Sequence, residues 1–388
     1  MPTPYYQSDR VTLYHGDSLS VLPTLDPSSI DAVVTDPPYG LSFMGKRWDY
    51  DVPTTELWAA CREAMKPGAH LLAFAGTRTQ HRMCVRIEDA GFDIRDMIAW
   101  VYGSGFPKSL NVSKAIDKAA GAEREVVGTI RKTPSASSEN MNDGWKRPWA
   151  ENHPKTMDIT APATASARKW SGWGTALKPA MEPITVARKP LVGTVAENVQ
   201  EWGTGAINVD GGRVGTPIEH KAGGLHRGGG TTVGSFTGST NFERDPHGRW
   251  PANLIHDGGE NATAPMGTAS RFFYCAKASK ADRDDGVAGV AGVAGVGALR
   301  DGGRESKPRM NFHPTVKPTD LMRYLCRLVT QPDGLILDPF LGSGSTGKAA
   351  IAEGFRFVGI ERDEAYCEIA AKRIQAAERE ASEIMVDT

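Results

Sequence analysis

The chain has 388 residues, 40% hydrophobic and 23% charged, which is the ordinary globular mix and excludes wholesale disorder and a collagen-like fibre. At about 150 residues per domain the length suggests two domains, or one with a large insertion. The net charge of −1 is unevenly spread: residues 1–100 carry 9 basic and 13 acidic side chains, 101–320 carry 28 and 22, and 321–388 carry 8 and 11. A basic middle between acidic ends points to a polyanion met by the middle, or to an ordinary solvated surface.

Cys61, Cys84, Cys275, Cys326 and Cys367 are far apart and form no Cys-x-x-Cys pair, so neither a disulfide framework nor a zinc ribbon is expected. The chain reads as intracellular, reduced and cytoplasmic, as in a bacterial or phage-encoded protein. No run of about 18 apolar residues and no signal-peptide core occurs, so a soluble protein off the membrane is expected.

In chain order, Val11 to His15, Ile30 to Thr35, Ala69 to Ala75 and Asp96 to Tyr102 read as strands, with helical spacing between them at Thr54 to Met65 and Gln80 to Ala90. That rhythm implies a mostly parallel sheet with helices on both faces. The middle differs in kind. Residues 201–303 hold 23 of the 43 glycines, and Gly103 to Asn311 is dense in Pro, Ser, Thr and Trp. Within it only Pro183 to Arg188 and Arg271 to Lys277 read as strands, and the Val-Ala-Gly repeat from Gly286 to Leu299 reads as a flexible loop. The α/β grammar then returns: helix Thr319 to Thr330, strand Leu335 to Leu337, helix Ser345 to Glu353, strand Phe355 to Ile360 and helix Glu364 to Ser382. The chain therefore divides into 1–110, an inserted 111–310 from which 180–190 rejoins the sheet, and 311–388.

Asp36-Pro37-Pro38-Tyr39 directly follows the strand Ile30 to Thr35. Its prolines fix φ and donate no N–H, so a carboxylate, a free carbonyl and an aromatic ring are held together at the carboxyl end of a strand, where sites lie in doubly wound sheets. The set suits an exocyclic amine on a planar base, with Asp36 and the Pro37 carbonyl accepting its two N–H groups and Tyr39 stacking on the ring. Asp338-Pro339-Phe340-Leu341-Gly342-Ser343-Gly344-Ser345-Thr346 forms a second strand-turn-helix. Gly342 and Gly344 let backbone approach a ligand, the helix N-terminus favours an anionic group, and Glu361, ending the next strand, is spaced to accept ribose hydroxyls. The full dinucleotide fingerprint is absent, which disfavours nicotinamide or flavin.

Together these motifs resemble the S-adenosylmethionine-dependent amino-methyltransferases of DNA, over residues 11–110 and 311–380. The catalytic motif preceding the cofactor motif is similar to the order of the family's β group. That resemblance implies a Rossmann-like, doubly wound α/β sheet, circularly permuted, with an inserted loop-rich recognition region. It implies Asp36, Pro37, Pro38 and Tyr39 at the target amine. For S-adenosyl-L-methionine it implies Asp338, Phe340, Gly342, Gly344 and Thr346 at the methionine part, Asp17 at the adenine, Glu361 at the ribose, and Lys317 of His313-Pro314-Thr315-Val316-Lys317-Pro318 flanking the methionine pocket. Asp17 could equally cap a helix and Lys317 could be a solvated loop lysine. If the sheet is permuted, Asp17 and Glu361 flank one adenosine and the last helix leads back to the first strand.

The resulting expectation is transfer of a methyl group to the 6-amino group of adenine in double-stranded DNA, on a base flipped from the duplex. A cytosine 4-amino enzyme, a methyltransferase of RNA or protein glutamine, and an inactive DNA-binding protein of the same fold stay open. No cysteine has the setting of a carbon-5 nucleophile, and no histidine spacing implies a metal. Trp145, Trp149, Trp170, Trp173, Trp202 and Trp250, interleaved with Lys146, Arg147, Lys169, Arg188, Lys189, Arg213 and Arg249, could track phosphates or pack a small core. A homodimer and a cognate restriction endonuclease are compatible partners.

Overall fold

Alternating strands and helices assemble into a ten-stranded sheet in the computed structural model of the chain, which describes residues 2–41, 49–103, 105, 109–131, 156–215, 248–276, 284–287, 311, 313 and 315–386. The first third forms β1 (Tyr6–Gln7), β2 (Val11–His15), α1 (Ser18–Val21), β3 (Ile30–Thr35), α2 (Thr55–Ala64), β4 (Met65–Phe74), α3 (Gln80–Asp89) and β5 (Asp93–Val101). Then come α4 (Val112–Ala119), β6 (Val126–Arg131), β7 (Thr156–Thr160), α5 (Ala165–Lys169), β8 (Met181–Arg188), α6 (Val195–Trp202), β9 (Leu254–His256), α7 (Glu260–Thr263) and β10 (Tyr274–Cys275). The last third forms α8 (Thr319–Val329), β11 (Leu335–Asp338), α9 (Ser345–Ala352), β12 (Arg356–Glu361) and α10 (Glu364–Val386).

The strand order is β1-β2-β12-β11-β3-β4-β8-β5-β9-β10. Strands β2, β12, β11, β3 and β4 run parallel, and β8 is antiparallel to both β4 and β5. All six residues of β3 are buried, which follows from its place mid-sheet with helices on both faces. Ala32, Val34 and Ile336 join the core under α8, α9 and α10, while Val33 and Leu337 join the opposite core with Trp58, Cys61 and Met83. Period-2 alternation thus splits one apolar run between two layers.

Strand β12 pairs with β2 in register from Phe357 opposite Val11 to Glu361 opposite His15, so strands far apart in sequence are neighbours in the sheet. The α10 residue Glu378 accepts hydrogen bonds from Tyr6 Oη, at 2.7 Å, and from Ser8 Oγ. This joins the last helix to the first strands, the arrangement of a permuted sheet. Strands β11 and β3 are adjacent, yet the helices after them, α9 and α2, cover opposite faces. A crevice at their carboxyl ends follows from that switch.

The chain divides into two compact units, residues 1–104 with 180–388, and residues 105–179. This is narrower than an insertion of 111–310, because β8, β9 and β10 all lie in the large sheet. The smaller unit pairs β6 with β7 and packs α4 on α5 around the buried Asp117. That carboxylate accepts from Arg124, from the backbone N–H groups of Ala163 and Thr164, both 3.0 Å away, and from the Thr164 hydroxyl at 2.8 Å. The strand expected over Arg271 to Lys277 is shorter: a 3-10 helix runs from Ala264 to Phe272, leaving only Tyr274 and Cys275 to pair with β9. Lys277 and most of the Val-Ala-Gly repeat lie outside the described residues. Among the described residues, no helix is long and apolar enough to cross a membrane.

Candidate active site

Strand β3 delivers Asp36 to the rim of the crevice, and the two prolines turn the chain so that Tyr39 folds back over it. The Tyr39 hydroxyl donates to Asp36 Oδ1 at 2.7 Å. The backbone beyond is pinned by the buried Asp49, whose carboxylate accepts the N–H groups of Tyr39 at 2.6 Å, Gly40 at 3.0 Å and Leu41 at 3.2 Å. Asp49 was not singled out from sequence, since a lone acidic residue ten positions past a turn carries no spacing signal.

Lys317 is not a solvated loop lysine. Only 6% exposed, its ammonium lies 2.8 Å from Asp36 Oδ2, 3.1 Å from Glu182 Oε2 and 3.0 Å from the Tyr39 hydroxyl. Its Nζ also lies 4.8 Å from the Phe74 ring centre and 5.4 Å from that of Tyr39. Burial by itself would favour a neutral amine, but Asp36 and Glu182 outweigh it and hold the ammonium charged well above the ordinary lysine range. Burial, then Asp36 and Glu182, push the Tyr39 phenol far up, so it stays a neutral donor.

Glu182 opens β8 and reaches 3.1 Å from the Tyr39 hydroxyl. Tyr102, just past the end of β5, has its phenol pushed up to about 12 by burial and then by Glu182. Neither residue was expected at the site. The available signal was the strand itself: Glu182 is the polar residue at the end of an otherwise buried run, where a side chain meets the crevice.

The second motif sits beside the first through Asp338. This buried carboxylate accepts from the Thr35 hydroxyl at 2.6 Å, the Thr346 hydroxyl at 2.6 Å and the Phe340 N–H at 3.0 Å. It joins the end of β3 to the first turn of α9. Asp338, Phe340 and Thr346, expected at the cofactor, also have their side chains engaged in the protein, Phe340 edge-on to Trp58 at 6.2 Å. Burial raises the Asp338 carboxyl to about 6, against the hydrogen bonds that favour its ionised form.

Gly342 and Gly344 are required by the protein as much as by any ligand. Both have positive φ, +52° and +77°. A Cβ at Gly342 would meet the His313 ring at 3.0 Å, and one at Gly344 would meet the Ala370 backbone at 2.9 Å. Gly344→Ala is therefore expected to destabilise the fold by about 2 kcal/mol or more, from left-handed strain plus overpacking; a urea unfolding curve unchanged from the parent would contradict this. The buried Arg373 of α10 reinforces the turn, donating to the Ser343 carbonyl at 2.5 Å and to the hydroxyls of Ser343 at 3.1 Å and Ser345 at 3.3 Å. His313, covering Gly342, is held neutral, its pKa lowered to about 4 by burial.

Glu361 and Asp17 lie at the ends of paired strands, with Gly16 N–H donating to the Glu361 carbonyl at 2.9 Å. Asp17 caps α1 by accepting from Leu19 N–H at 2.9 Å, so the capping reading holds for it. Glu361 accepts from the N–H groups of Gly342 and Asp363, each 2.8 Å away, and burial raises its pKa against those bonds. Each oxygen keeps lone-pair capacity for a hydroxyl donor. No side chain caps the N-terminus of α9, so its first N–H groups face the turn.

Of the aromatic and basic residues in the middle, Trp145, Lys146, Arg147 and Trp149 lie outside the described residues. Arg188 and Lys189 are taken up by the sheet, Arg188 3.8 Å from Asp93 and Lys189 donating to the Met65 carbonyl at 2.7 Å. In the smaller unit Trp170 and Trp173 meet edge to face at 5.1 Å beside the exposed Lys169, with Trp173 60% exposed. In the larger unit Trp250 is exposed beneath the Arg213 guanidinium at 5.4 Å. Burial pushes the thiols of Cys61 and Cys326 up, and Cys367 to about 12, so none is a poised thiolate. Among the described residues no three His, Cys, Asp or Glu side chains cluster as metal ligands do.

A family model described as DNA methylase matches residues 30–372. The type II methyltransferase M2.DpnII of Streptococcus pneumoniae is 45% identical over 64 residues, 16% of this chain and 24% of that protein. The DNA adenine methyltransferase YhdJ of Escherichia coli (strain K12) is 38% identical over 71 residues, 18% of this chain and 24% of that protein. The chain thus spans about a quarter of the length of these curated relatives. Solved structures are similar at low identity: the cytosine-N4-specific PvuII DNA methyltransferase at 14% identity and TM-score 0.46, covering 98% of this chain and 96% of that one, and the M1.HpyAVI–SAM complex at 16% and 0.40, covering 94% and 99%.

Proposed function

The chain belongs to the DNA methylase family, and from that premise we propose that it methylates the 6-amino group of adenine in double-stranded DNA at a flipped-out base. The family's cofactor is S-adenosyl-L-methionine. The residues present fit it: Glu361 has oxygens open to hydroxyl donors, and the uncapped start of α9 suits a carboxylate. Glu361 and the Gly342 to Gly344 backbone would hold it, with Asp17 near the adenine. When bound, it supplies an electrophilic methyl group.

One observation carries the reading. Asp36, Tyr39, Lys317 and Glu182 converge at the carboxyl end of β3, and Thr35, the residue before Asp36, is hydrogen-bonded to Asp338 at the root of the glycine turn. An amine acceptor and a cofactor turn are thus fixed to each other by one buried carboxylate. An aromatic amine is a weak nucleophile because its lone pair is shared with the ring. Asp36 and the Pro37 carbonyl accept its two N–H groups, favouring a pyramidal nitrogen, and Tyr39 faces the ring. Asp36 already receives Tyr39 and Lys317, so the amine takes the remaining lone pairs. Aspartate rather than serine at position 36 favours adenine by resemblance, and the cytosine 4-amino reaction is the second reading. The exposed Trp170 and Trp173 beside Lys169 suit the nucleic acid.

Incubation with labelled S-adenosylmethionine and mixed-sequence duplex DNA, followed by nucleoside analysis, is expected to yield N6-methyladenine. N4-methylcytosine would establish the second reading. Unlabelled DNA with the cofactor demonstrably bound would refute both.

A further inference from the structure

Two carboxylates converge on one buried ammonium, and all three reach one phenol. Asp36 and Glu182 lie 2.8 and 3.1 Å from Lys317 Nζ, and 2.7 and 3.1 Å from the Tyr39 hydroxyl. Each carboxylate is about a fifth exposed, and two such charges facing one buried ammonium repel each other unless that cation lies between them. We propose that Lys317 is a positioning residue for Asp36: its ammonium, shared with Glu182, keeps Asp36 an ionised hydrogen-bond acceptor aimed at the target amine. The proposal rests on the amine-methylation reading and assigns Lys317 to the acceptor side of the site rather than to the cofactor.

The surroundings leave Lys317 little choice of partner. It comes from the segment Thr315–Pro318 ahead of α8 and is walled by the rings of Phe74 and Tyr39. Among the described residues, the titratable groups around Asp36 are Tyr39 on its own turn, Lys317 on that segment and His313 two residues before it, Glu182 on β8, and Asp338 on β11, with Tyr102 behind Glu182. Tyr39 and Tyr102 are neutral donors, and His313 is neutral at working pH. Among the described residues Lys317 is therefore the cation that balances the pair. Without it Asp36 and Glu182 share a proton, and a protonated Asp36 donates where the amine needs an acceptor.

The test uses the full chain as Lys317→Met, Glu182→Gln, the double variant and Lys317→Arg. Cofactor affinity without DNA, by calorimetry, is expected to stay within about threefold of the parent in all four. Single-turnover methyl transfer by Lys317→Met should fall about 10²-fold at pH 7, in the range of losing one preorganised group, with the acid limb of its pH profile moved up by about one unit or more. Glu182→Gln should leave that limb near its parental position. In the double variant the second negative charge is gone, so at least tenfold of the lost rate should return and the limb move back, and Lys317→Arg should retain the parental limb. Infrared spectra of the DNA-free proteins give a readout independent of activity: a protonated-carboxyl band at neutral pH in Lys317→Met, in excess of any shown by the parent and the double variant. A double variant no better than Lys317→Met, an unmoved limb, a missing carboxyl band, or cofactor affinity lost tenfold with Lys317→Met would each overturn the proposal. A parent that transfers no methyl group to any DNA, with the carboxyl band behaving as expected, would overturn the reaction and leave the charge balance standing.

Discussion

Asp36→Ala is expected to lower methyl transfer by about 10³-fold or more while cofactor affinity stays within about threefold, because the acceptor and the cofactor turn are built from different side chains. Its loss removes one of the amine's two acceptors and releases Tyr39 Oη, whose bond to Asp36 Oδ1 sets the ring. Lys317 retains Glu182, so no buried charge is stranded. The Gly342 turn keeps its N–H bonds to Glu361 and Asp338 and the bond it accepts from Arg373, none of which passes through Asp36. The Asp36 side chain is also 20% exposed, so its removal costs the fold little. A cofactor titration beside a single-turnover assay decides the matter: parallel loss of binding and transfer would contradict this division of labour.

The second large effect belongs to Asp338, through the pH dependence of stability. Its carboxyl is raised to about 6 in the fold from an unfolded value of 3.8. The folded chain therefore holds that proton more tightly, and the stability this contributes is fully present below pH 3.8 and lost as pH rises through about 6. A shift of about two units is worth about 3 kcal/mol. His70 and His313 act in the opposite sense, since burial lowers both to about 4 and they lose stability as pH falls from 6.5 through 4. The parent's own curve mixes these contributions, so the comparison must be with Asp338→Asn. The amide keeps an acceptor for Thr35 and Phe340 and can donate to a rotated Thr346 hydroxyl. Urea unfolding of both proteins from pH 4.5 to 7.5 should show the parent losing about 2 kcal/mol relative to Asp338→Asn as pH rises. A pH-independent difference would show that Asp338 does not titrate in this range.

Much of the architecture was legible as periodicity. The β-rich run Ile30 to Thr35 read as a strand despite its Asp31, and α8 and α10 showed their apolar stripes. The order of the two motifs announced a permuted sheet, and the pairing of β12 with β2 is its physical form. Less legible was the glycine-rich middle, where β8 was recognisable by its β-branched run but β9 and β10 were too short to stand out. The glycine turn was recognised by its residues, but its structural demand was not legible: positive φ and the nearness of His313 and Ala370 require Gly342 and Gly344 whatever the turn binds.

The sequence by itself determined which residues end each strand, and so which groups could reach the crevice: Asp36, Tyr39, the Gly342 turn and Glu361 all follow from local spacing and backbone chemistry. Only the tertiary structure decided which of them meet. Glu182 lies 143 positions from Tyr39, and Lys317 lies 278 positions from it, yet both bond its hydroxyl. That meeting depends on β8 lying antiparallel beside β4 and on the turn before α8 crossing the end of β3. Side-chain period carries no information about either, because it encodes the face a residue takes on its own element and not the order in which elements pack.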